Sequence, residues 1–332
     1  MRILIALVLL AVLAAGGFAA WQFYAPVAPP PGQTYVLLRS GYSTRRIAAE
    51  LKKAGVIRSE LAFRLWRRVH RGPPLKAGEY LFEHEATLPQ VYDRIARGDI
   101  YFHVVTIPEG YTMFDVAKAI EGAGLGSADD FLHIAETQTQ LISDLAPEAK
   151  SLEGYLFPET YEFTRTQSLE EMATEMVRQF RQVAQQIGLA PGGSDVDVQK
   201  VVTMASIVEK ETAVPEERPR VANVYYNRLA RRMALDADPS VIYAEMLEGT
   251  YQGSLHHEDL AVKSPYNTYR FPGLPPGPIA NPGRSALEAA LHPASTKFLY
   301  FVSDGNGHHR FAATLEEHER NVAALRRALG IH

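Results

Sequence analysis

The chain of 332 residues contains no cysteine, so it has neither disulfides nor thiols that could mispair. This absence permits an exported location without requiring one. The net charge of −4 lacks the basic excess of nucleic-acid-binding proteins, and we exclude that class. Hydrophobic residues make up 46% of the chain and charged residues 22%, the ordinary mix of a protein that buries a core. The length favours two or three domains over one.

The histidines lack the spacing of common metal-binding motifs, because neither His-x-x-x-His nor His-Glu-x-x-His occurs. Two adjacent pairs are present, His256-His257 and His308-His309, and neighbours in a strand or loop are expected to point apart. We therefore expect no metal site, and we expect no other cofactor.

Charge is missing altogether from one segment, the run from Ile3 to Tyr24. About 20 apolar residues in a helix, rising ~1.5 Å each, cross a ~30 Å hydrocarbon core. Arg2 lies at one flank of the run, and Trp21 and Tyr24 fall where the opposite interface would lie. We predict a transmembrane anchor over residues 1–24, with the N-terminus in the cytoplasm. The alternative is a cleaved signal peptide, but the apolar run exceeds a usual signal core.

A proline-rich spacer over residues 25–33 is predicted to lead from the anchor to an internal repeat. Gly41-Tyr42-Ser43 recurs 69 positions later as Gly110-Tyr111-Thr112, with matching apolar positions after it. Each copy predicts a strand, a glycine turn, a Ser or Thr cap and a short amphipathic helix. One interpretation is two similar units of one α+β fold. The other is a small carbohydrate-binding module over residues 34–99, because the first copy resembles the opening of LysM modules, which usually carry an acid where Tyr42 stands.

Further strands are predicted over Lys76–Phe82 and Tyr101–Pro108, with a helix over Leu88–Arg97 between them. The basic segment Leu65–Gly72 is predicted to be a solvated helix face, with a binding patch as the alternative. We assign the chain to the α+β class. It comprises the transmembrane helix, a small LysM-like α/β subdomain, and a larger mixed α+β catalytic domain over residues 100–332.

Two glutamates stand at the end of a helix predicted over Val201–Thr212. Glu209 and Glu211 flank its apolar stripe on two sides, so the helical wheel does not choose between them. Ala205 and Ser206 are small and would leave space beside Glu209. A half-buried glutamate beside apolar walls has a raised pKa and can hold a proton near neutral pH, as a general acid must. The alternative is a glutamate pair at a solvated boundary.

Polar and aromatic residues are concentrated in loops farther along the chain. The segment Ser264–Gly283 is rich in Pro and Gly, and such stiff loops hold polar and aromatic groups in place for a ligand. Aromatic faces and amide side chains suit sugars. The candidate substrate-binding residues are Glu153, Tyr155, Asn227, Asp238, Tyr266, Asn267 and Tyr269.

Several rare motifs occur together in one order: EGYLFPETY, ASIVEKET, YNRL, ADPSVIY, YNTY with GLPPGPIANPG, and HPA with YFVSDG. In sequence and spacing they resemble the endolytic murein transglycosylases of the MltG (YceG-like) family. The resemblance in sequence runs from about residue 35 to 325. The single N-terminal anchor predicted before that range also matches the family.

The resemblance implies an enzyme that cleaves glycan strands of nascent peptidoglycan and terminates or trims their elongation. It implies that the catalytic glutamate is the first acid of IVEKET, Glu209, with Glu211 as a support or surface residue. Glu209 would act as acid and then as base on the MurNAc-β-1,4-GlcNAc bond, leaving 1,6-anhydro ends. Tyr266 and Asn267 are similar to the Ala-Tyr-Asn element of other lytic transglycosylases, although Pro265 replaces the alanine.

The implied partners are peptidoglycan strands, the membrane and peptidoglycan synthases. The implied location is the bacterial inner membrane, with one span, a cytoplasmic N-terminus and a periplasmic catalytic domain.

Two other functions compete with this interpretation. A non-catalytic, membrane-anchored glycan-binding scaffold is compatible with the sequence, and Glu209→Gln would separate it from an enzyme. Some relatives have carried the label aminodeoxychorismate lyase, a cytosolic pyridoxal-phosphate enzyme. The exported anchor and the lack of a lysine in a recognisable Schiff-base setting argue against that activity.

Overall fold

The computed structural model describes residues 1–70, 72–189 and 196–330, so Arg71 of the basic segment lies outside the described residues. The chain divides into two compact units. The first consists of residues 1–104 and 162–168, and the second of residues 105–161 and 169–332. The domain boundary at residue 100 stays a prediction.

The first unit is a small strand–helix assembly preceded by a long helix. In chain order its elements are α1 (Arg2–Tyr24), β1 (Thr34–Leu38), α2 (Thr44–Lys53), α3 (Glu60–Val69), β2 (Gly78–Phe82), α4 (Leu88–Arg97) and β3 (His103–Thr106), the last of which continues into the second unit. β1 and β2 pair antiparallel, with Thr34 opposite Phe82. Apolar faces of the strands and of α2, α3 and α4 form one buried core.

Local signals explain the ends of these helices. α4 occupies the predicted range, because Thr87 and Gln90 form a capping box at its start and Gly98 ends it with a φ of 80°.

α1 is long and apolar enough to cross a membrane, with a mean hydropathy of 2.7 over its most apolar window.

The second unit is mostly helical. Its elements are α5 (Met113–Gly122), α6 (Ala128–Thr137), β4 (Thr160–Phe163, which continues into the first unit), α7 (Leu169–Gln186), α8 (Val198–Glu211), α9 (Arg218–Ala230), α10 (Asp238–Glu248), α11 (Arg284–Leu291), β5 (Tyr300–Ser303), β6 (His309–Ala312) and α12 (Leu315–Leu329), with 3-10 turns at Thr139–Ile142, Pro215–Glu217 and His257–Ala261. β3 pairs with β4, and β5 pairs antiparallel with β6. The mixed α+β class is confirmed.

The internal repeat is confirmed as local structure. α2 and α5 begin and end 69 positions apart, and Ser43 and Thr112 cap them with their side chains. The turns before them need glycine, because Gly41 and Gly110 have φ values of 80° and 77°. One copy of the helix lies in each unit.

Candidate active site

Helix α8 is the buried centre of the second unit, and α9 and α11 pack against it. Every residue from Val201 to Val208 is buried, so burial in this part of the helix extends beyond the predicted apolar stripe to all sides. The last turn, Glu209 to Glu211, reaches the edge of the core, as Gln199 and Lys200 do at the other end of the helix. The carboxylates that the sequence singled out therefore stand where buried helix meets polar surroundings.

The sequence suggested that the small residue Ser206 would leave space beside Glu209. In the structure, Ser206 instead forms hydrogen bonds. Its hydroxyl accepts a hydrogen bond from the Ile279 N–H at 3.0 Å and donates to the Thr203 carbonyl at 2.7 Å. Gly154 is small for a similar reason, since a Cβ there would lie 2.5 Å from Pro278. Small residues here let the Pro- and Gly-rich loop pack closely on α8.

Glu209 is held by a charged partner on one oxygen and a backbone donor on the other. Arg218 Nη2 lies 2.6 Å from Oε1, and the Gly283 N–H donates to Oε2 at 2.9 Å. The two side chains are only 5% and 6% exposed. Burial raises the pKa of Glu209, while the Gly283 N–H and Arg218 act in the opposite direction. Both oxygens of this carboxyl are thus already engaged by the protein.

A third charged group completes this cluster. Glu109 Oε2 lies 3.5 Å from Arg218 Nη2, and the Glu109 side chain is 49% exposed. A Cβ at Gly283 would collide with the Glu109 carboxyl, which explains the glycine. The Glu209–Arg218–Glu109 cluster therefore ties α8, α9 and two loops together at close quarters.

Glu211 faces a different environment, a pocket of about 270 Å³. The residues that line this pocket, which we call the Glu211 pocket, are Glu211, Tyr225, Arg228, Leu235, Asp236, Asp238, Phe301 and His318. Burial raises the pKa of Glu211 to about 7, against a smaller opposing effect of a hydrogen bond with Tyr225. Nearby Asp238 raises the pKa further, and Arg228 lowers it. The Glu211 carboxyl can thus hold a proton near neutral pH beside open space, whereas the sequence resemblance implies a support or surface residue.

The walls of the Glu211 pocket are fixed by hydrogen bonds. The Tyr269 hydroxyl donates to Asp238 Oδ1 at 2.5 Å. Arg228 donates to the carbonyls of Leu299, Ala234 and Leu235 and pairs with Asp236 at 2.9 Å. Asp236 has a φ of 52°, an uncommon conformation outside glycine that the surrounding contacts maintain.

Glu153 forms a buried network of its own. Its carboxylate accepts hydrogen bonds from the Met113 N–H at 2.9 Å and from Asn281 Nδ2 at 3.0 Å. Burial raises the pKa of Glu153 to about 8, while the Met113 N–H and the Tyr243 hydroxyl act in the opposite direction. Asn281 in turn accepts from the Gly110 N–H, so Glu153 orders the loop that precedes α5.

Two of the predicted aromatic substrate residues, Tyr266 and Tyr155, are not among the residues that line the Glu211 pocket. Tyr266 packs on Tyr243 with ring centroids 5.1 Å apart, and burial raises its pKa to about 12. Tyr155 is fully buried against Phe180, and its hydroxyl has no partner among the described residues. Of the predicted substrate residues, Asp238 lines the Glu211 pocket, and the Tyr269 hydroxyl donates a hydrogen bond to Asp238.

Two predicted asparagines use their side chains on backbone and neighbouring groups. Asn227 Nδ2 lies within hydrogen-bonding distance of Asn223 Oδ1 and of the carbonyls of Thr296 and Phe298. Asn267 is fully buried and donates to the carbonyls of Leu260 and Val262, while its Oδ1 accepts from the Tyr269 N–H. These bonds account for both amides without a bound sugar.

Sequence reasoning missed Arg218, Tyr225 and Arg228. Tyr225 and Arg228 are three apart on α9 and therefore share a face, a signal that was present in the VYYNRL motif. Arg218 carries no comparable signal, because its pairing with Glu209 depends on the turn between α8 and α9.

The expectation that adjacent histidines point apart is wrong for one pair. His308 Nδ1 and His309 Nδ1 both approach Glu217, at 3.2 and 2.7 Å. Among the described residues, no group of three or more His, Cys, Asp or Glu side chains could hold a metal ion.

A glutamic acid with a raised pKa beside a pocket, in a mixed α+β unit, is the site of a candidate acid–base enzyme. A crystal structure of a yceG-like protein from Listeria monocytogenes is similar to this chain, with a TM-score of 0.57 and 33% identity, and the match covers 87% of this chain and 98% of that one. The model of the YceG-like family matches residues 36–324. The chain belongs to the YceG-like family.

Curated relatives carry a functional name. A Bacillus subtilis (strain 168) protein named endolytic murein transglycosylase is 35% identical, over 85% of this chain and 81% of that protein. A protein of the same name from Streptococcus pneumoniae serotype 2 (strain D39) is 31% identical over 96% of this chain. The match covers 64% of the length of the pneumococcal protein.

Proposed function

We propose that this chain is an endolytic peptidoglycan lytic transglycosylase, with Glu211 as its single acid–base residue. The names of the curated relatives support the activity. The observation that carries the choice of residue is the pocket beside a desolvated carboxyl whose pKa is raised to about 7. A general acid works best when its pKa lies near the operating pH.

The first step is proton donation. Protonated Glu211 gives its proton to the oxygen that leaves C1 of MurNAc as the β-1,4 bond to GlcNAc breaks. Positive charge develops on the MurNAc ring, and the Glu211 carboxylate remains beside it. The hydrogen bond with Tyr225 favours this ionised form and so assists the transfer.

The second step closes a ring within the substrate. The 6-hydroxyl of the same MurNAc attacks C1 and passes its proton to Glu211, which restores the starting state. No water is consumed, and the product has a 1,6-anhydro end. An enzyme that uses water ordinarily needs a second carboxylate, whereas here the attacking group belongs to the substrate and benefits from a high effective concentration.

Glu209, the residue that the sequence resemblance favours, is less suited to these steps. Its oxygens are engaged by Arg218 and the Gly283 N–H, and the pair is almost fully buried. Proton donation would require Glu209 to leave its bond to Arg218, and removing one member of a buried ion pair is costly. We propose Glu209 as a positioning residue that holds the last turn of α8.

Asp238 and Tyr269 are proposed to contact the sugar from the wall of the Glu211 pocket. Tyr266, Glu153 and Tyr155 are proposed to support the site through packing and hydrogen bonds. Asn227 and Asn267 stay predictions as substrate residues.

The wider setting of the enzyme is part of the same proposal. We propose that α1 is a single-pass anchor in the inner membrane, with the catalytic unit in the periplasm. We propose that residues 34–99 form a LysM-like subdomain and that the enzyme works beside peptidoglycan synthases. The compact β1–α2–α3–β2 arrangement supports a separate small module.

The test is a digest of uncrosslinked nascent glycan by the full chain, with fragments read by mass spectrometry. New ends lighter than reducing MurNAc by one water, absent with Glu211→Gln, are the expected result. Hydrated ends would identify a hydrolase. Glycan binding without cleavage by the wild type would instead support the non-catalytic scaffold.

A further inference from the structure

The exposed face of α3 is unusually apolar. Leu61, Leu65 and Val69 are 57%, 46% and 74% exposed, and their spacing of four places them along one side of the helix. Ala62 and Phe63 of the same helix are buried in the core of the first unit. α3 therefore has apolar side chains both in the core and on its exposed face.

The position of α3 relative to the end of α1 indicates what covers this face. The ring of Trp66 lies 5.8 Å from the ring of Phe23 and 6.1 Å from that of Tyr24, the last residues of α1. Arg58, just before α3, lies over the ring of Trp21 at 4.8 Å and donates to the Ala25 carbonyl. α3 is thus attached to the aromatic end of α1, where a spanning helix meets the membrane–water interface.

Charge on α3 is complementary to an anionic lipid surface. Arg64 and Arg68 are exposed beside the apolar face. Arg67 turns inward and donates to the Tyr92 hydroxyl at 2.6 Å. Glu60 is the one acidic residue in the sequence of the helix. A helix with an apolar stripe flanked by arginines is typical of elements that lie in the plane of a membrane interface.

We propose that the outer face of α3, formed by Leu61, Leu65 and Val69 with Arg64 and Arg68 beside them, docks on the anionic lipid surface of the membrane that α1 crosses. This inference rests on the anchor proposed above. Docking would give the first unit two attachments to the bilayer, the anchor and the α3 face.

The absence of cysteine makes a site-specific test direct, because each engineered thiol is the sole labelling site. The full chain is reconstituted in phosphatidylglycerol–phosphatidylethanolamine vesicles with a nitroxide at Leu65→Cys. Collision with oxygen, which concentrates in lipid, is compared with collision with a water-soluble nickel chelate. Val12→Cys in α1 reports the anchor, and Arg45→Cys, exposed on α2, is the water-facing control.

The expected result is a label at position 65 that oxygen reaches and the chelate does not, while the label at position 45 shows the reverse. Adding Arg64→Glu and Arg68→Glu, or using phosphatidylcholine alone, should reduce the lipid-contacting population. Removing the attraction of one arginine to anionic lipid should lower the equilibrium constant for docking roughly fivefold.

Two outcomes would overturn the docking surface while leaving the anchor intact. In the first, the nickel chelate reaches the label at position 65 while the label at position 12 is reached only by oxygen. Alternatively, spin–spin broadening at position 65 would show that a second copy of the chain covers the face. A label at position 12 in water would refute the anchor and with it the docking surface. Glycan cleavage measured in the same vesicles keeps failure of the catalytic proposal separate from all three.

Discussion

Glu209 and Glu211 stand two residues apart on one helix and have opposite surroundings. Both carboxyls are desolvated, and burial raises both pKa values. Glu209 is closed off by Arg218 and a backbone donor, whereas Glu211 lies beside a pocket. The comparison teaches that a raised pKa does not by itself identify a general acid. The carboxyl must also have an oxygen free to reach a substrate.

The largest effect should come from removing the proton carrier at position 211. Glu211→Gln keeps the size of the side chain but cannot donate and recover a proton, so we expect a loss of roughly 10²–10⁴-fold in the rate of anhydro-end formation. The initial rate on nascent glycan measures this, and thermal unfolding checks the fold. If Glu211→Gln stays active while a folded Glu209→Gln is inactive, the roles of the two residues are reversed.

The second effect concerns stability. Glu209→Gln leaves Arg218 without its buried partner, and we expect a loss of roughly 3 kcal/mol in the free energy of unfolding, because breaking a buried pair leaves an uncompensated charge. Glu109→Gln removes the half-exposed partner of the same arginine and should cost less than about 1 kcal/mol. Urea denaturation of both variants provides a matched pair. Equal losses would contradict the assignment of Glu209 as the buried positioning residue.

The third effect is the pH dependence of activity. The proposed role requires Glu211 to be protonated in the free enzyme, and its pKa is raised to about 7. The protonated fraction therefore falls as the pH rises above that value, and kcat/KM should fall about tenfold per pH unit. A profile measured from pH 5 to 9 tests this. A kcat/KM that stays flat to pH 9 would show that Glu211 does not supply the proton.

The fourth effect is a pH slope in stability from Glu153. Its pKa is raised in the folded state to about 8, above its ordinary value of 4.5. Its stabilising contribution is therefore fully present below the unfolded pKa and is lost as the pH rises toward 8, at no more than about 1.4 kcal/mol per pH unit. Glu153→Gln should flatten this part of the unfolding free energy between pH 5 and 8. Identical slopes in the two proteins would contradict a buried, titrating Glu153.

Local structure followed closely from sequence patterns. The range of α4 matches the one predicted from the sequence, and the repeat reappears in α2 and α5 at its predicted offset. These features depend on residues within a few positions of each other, so a linear pattern contains them.

The identity of the site depended on contacts between distant segments. The wheel placed Glu209 and Glu211 symmetrically, and their difference arises from Gly283 on one side and Asp238 on the other. The contacts of the polar and aromatic residues in the loop after Ser264 also depend on distant segments. Asn267 turned to backbone carbonyls, Tyr266 packed on Tyr243, and Tyr269 bonded to Asp238.

The amino-acid sequence determined the apolar N-terminal segment, the order of helices and strands, the internal repeat and the motifs of the YceG-like family. Tertiary structure alone decided which glutamate is closed by an ion pair and which lines a pocket, and it placed α3 against the aromatic end of α1. The physical reason is that desolvation, ion pairing and access to a pocket are set by groups far apart in the chain, which only packing brings together.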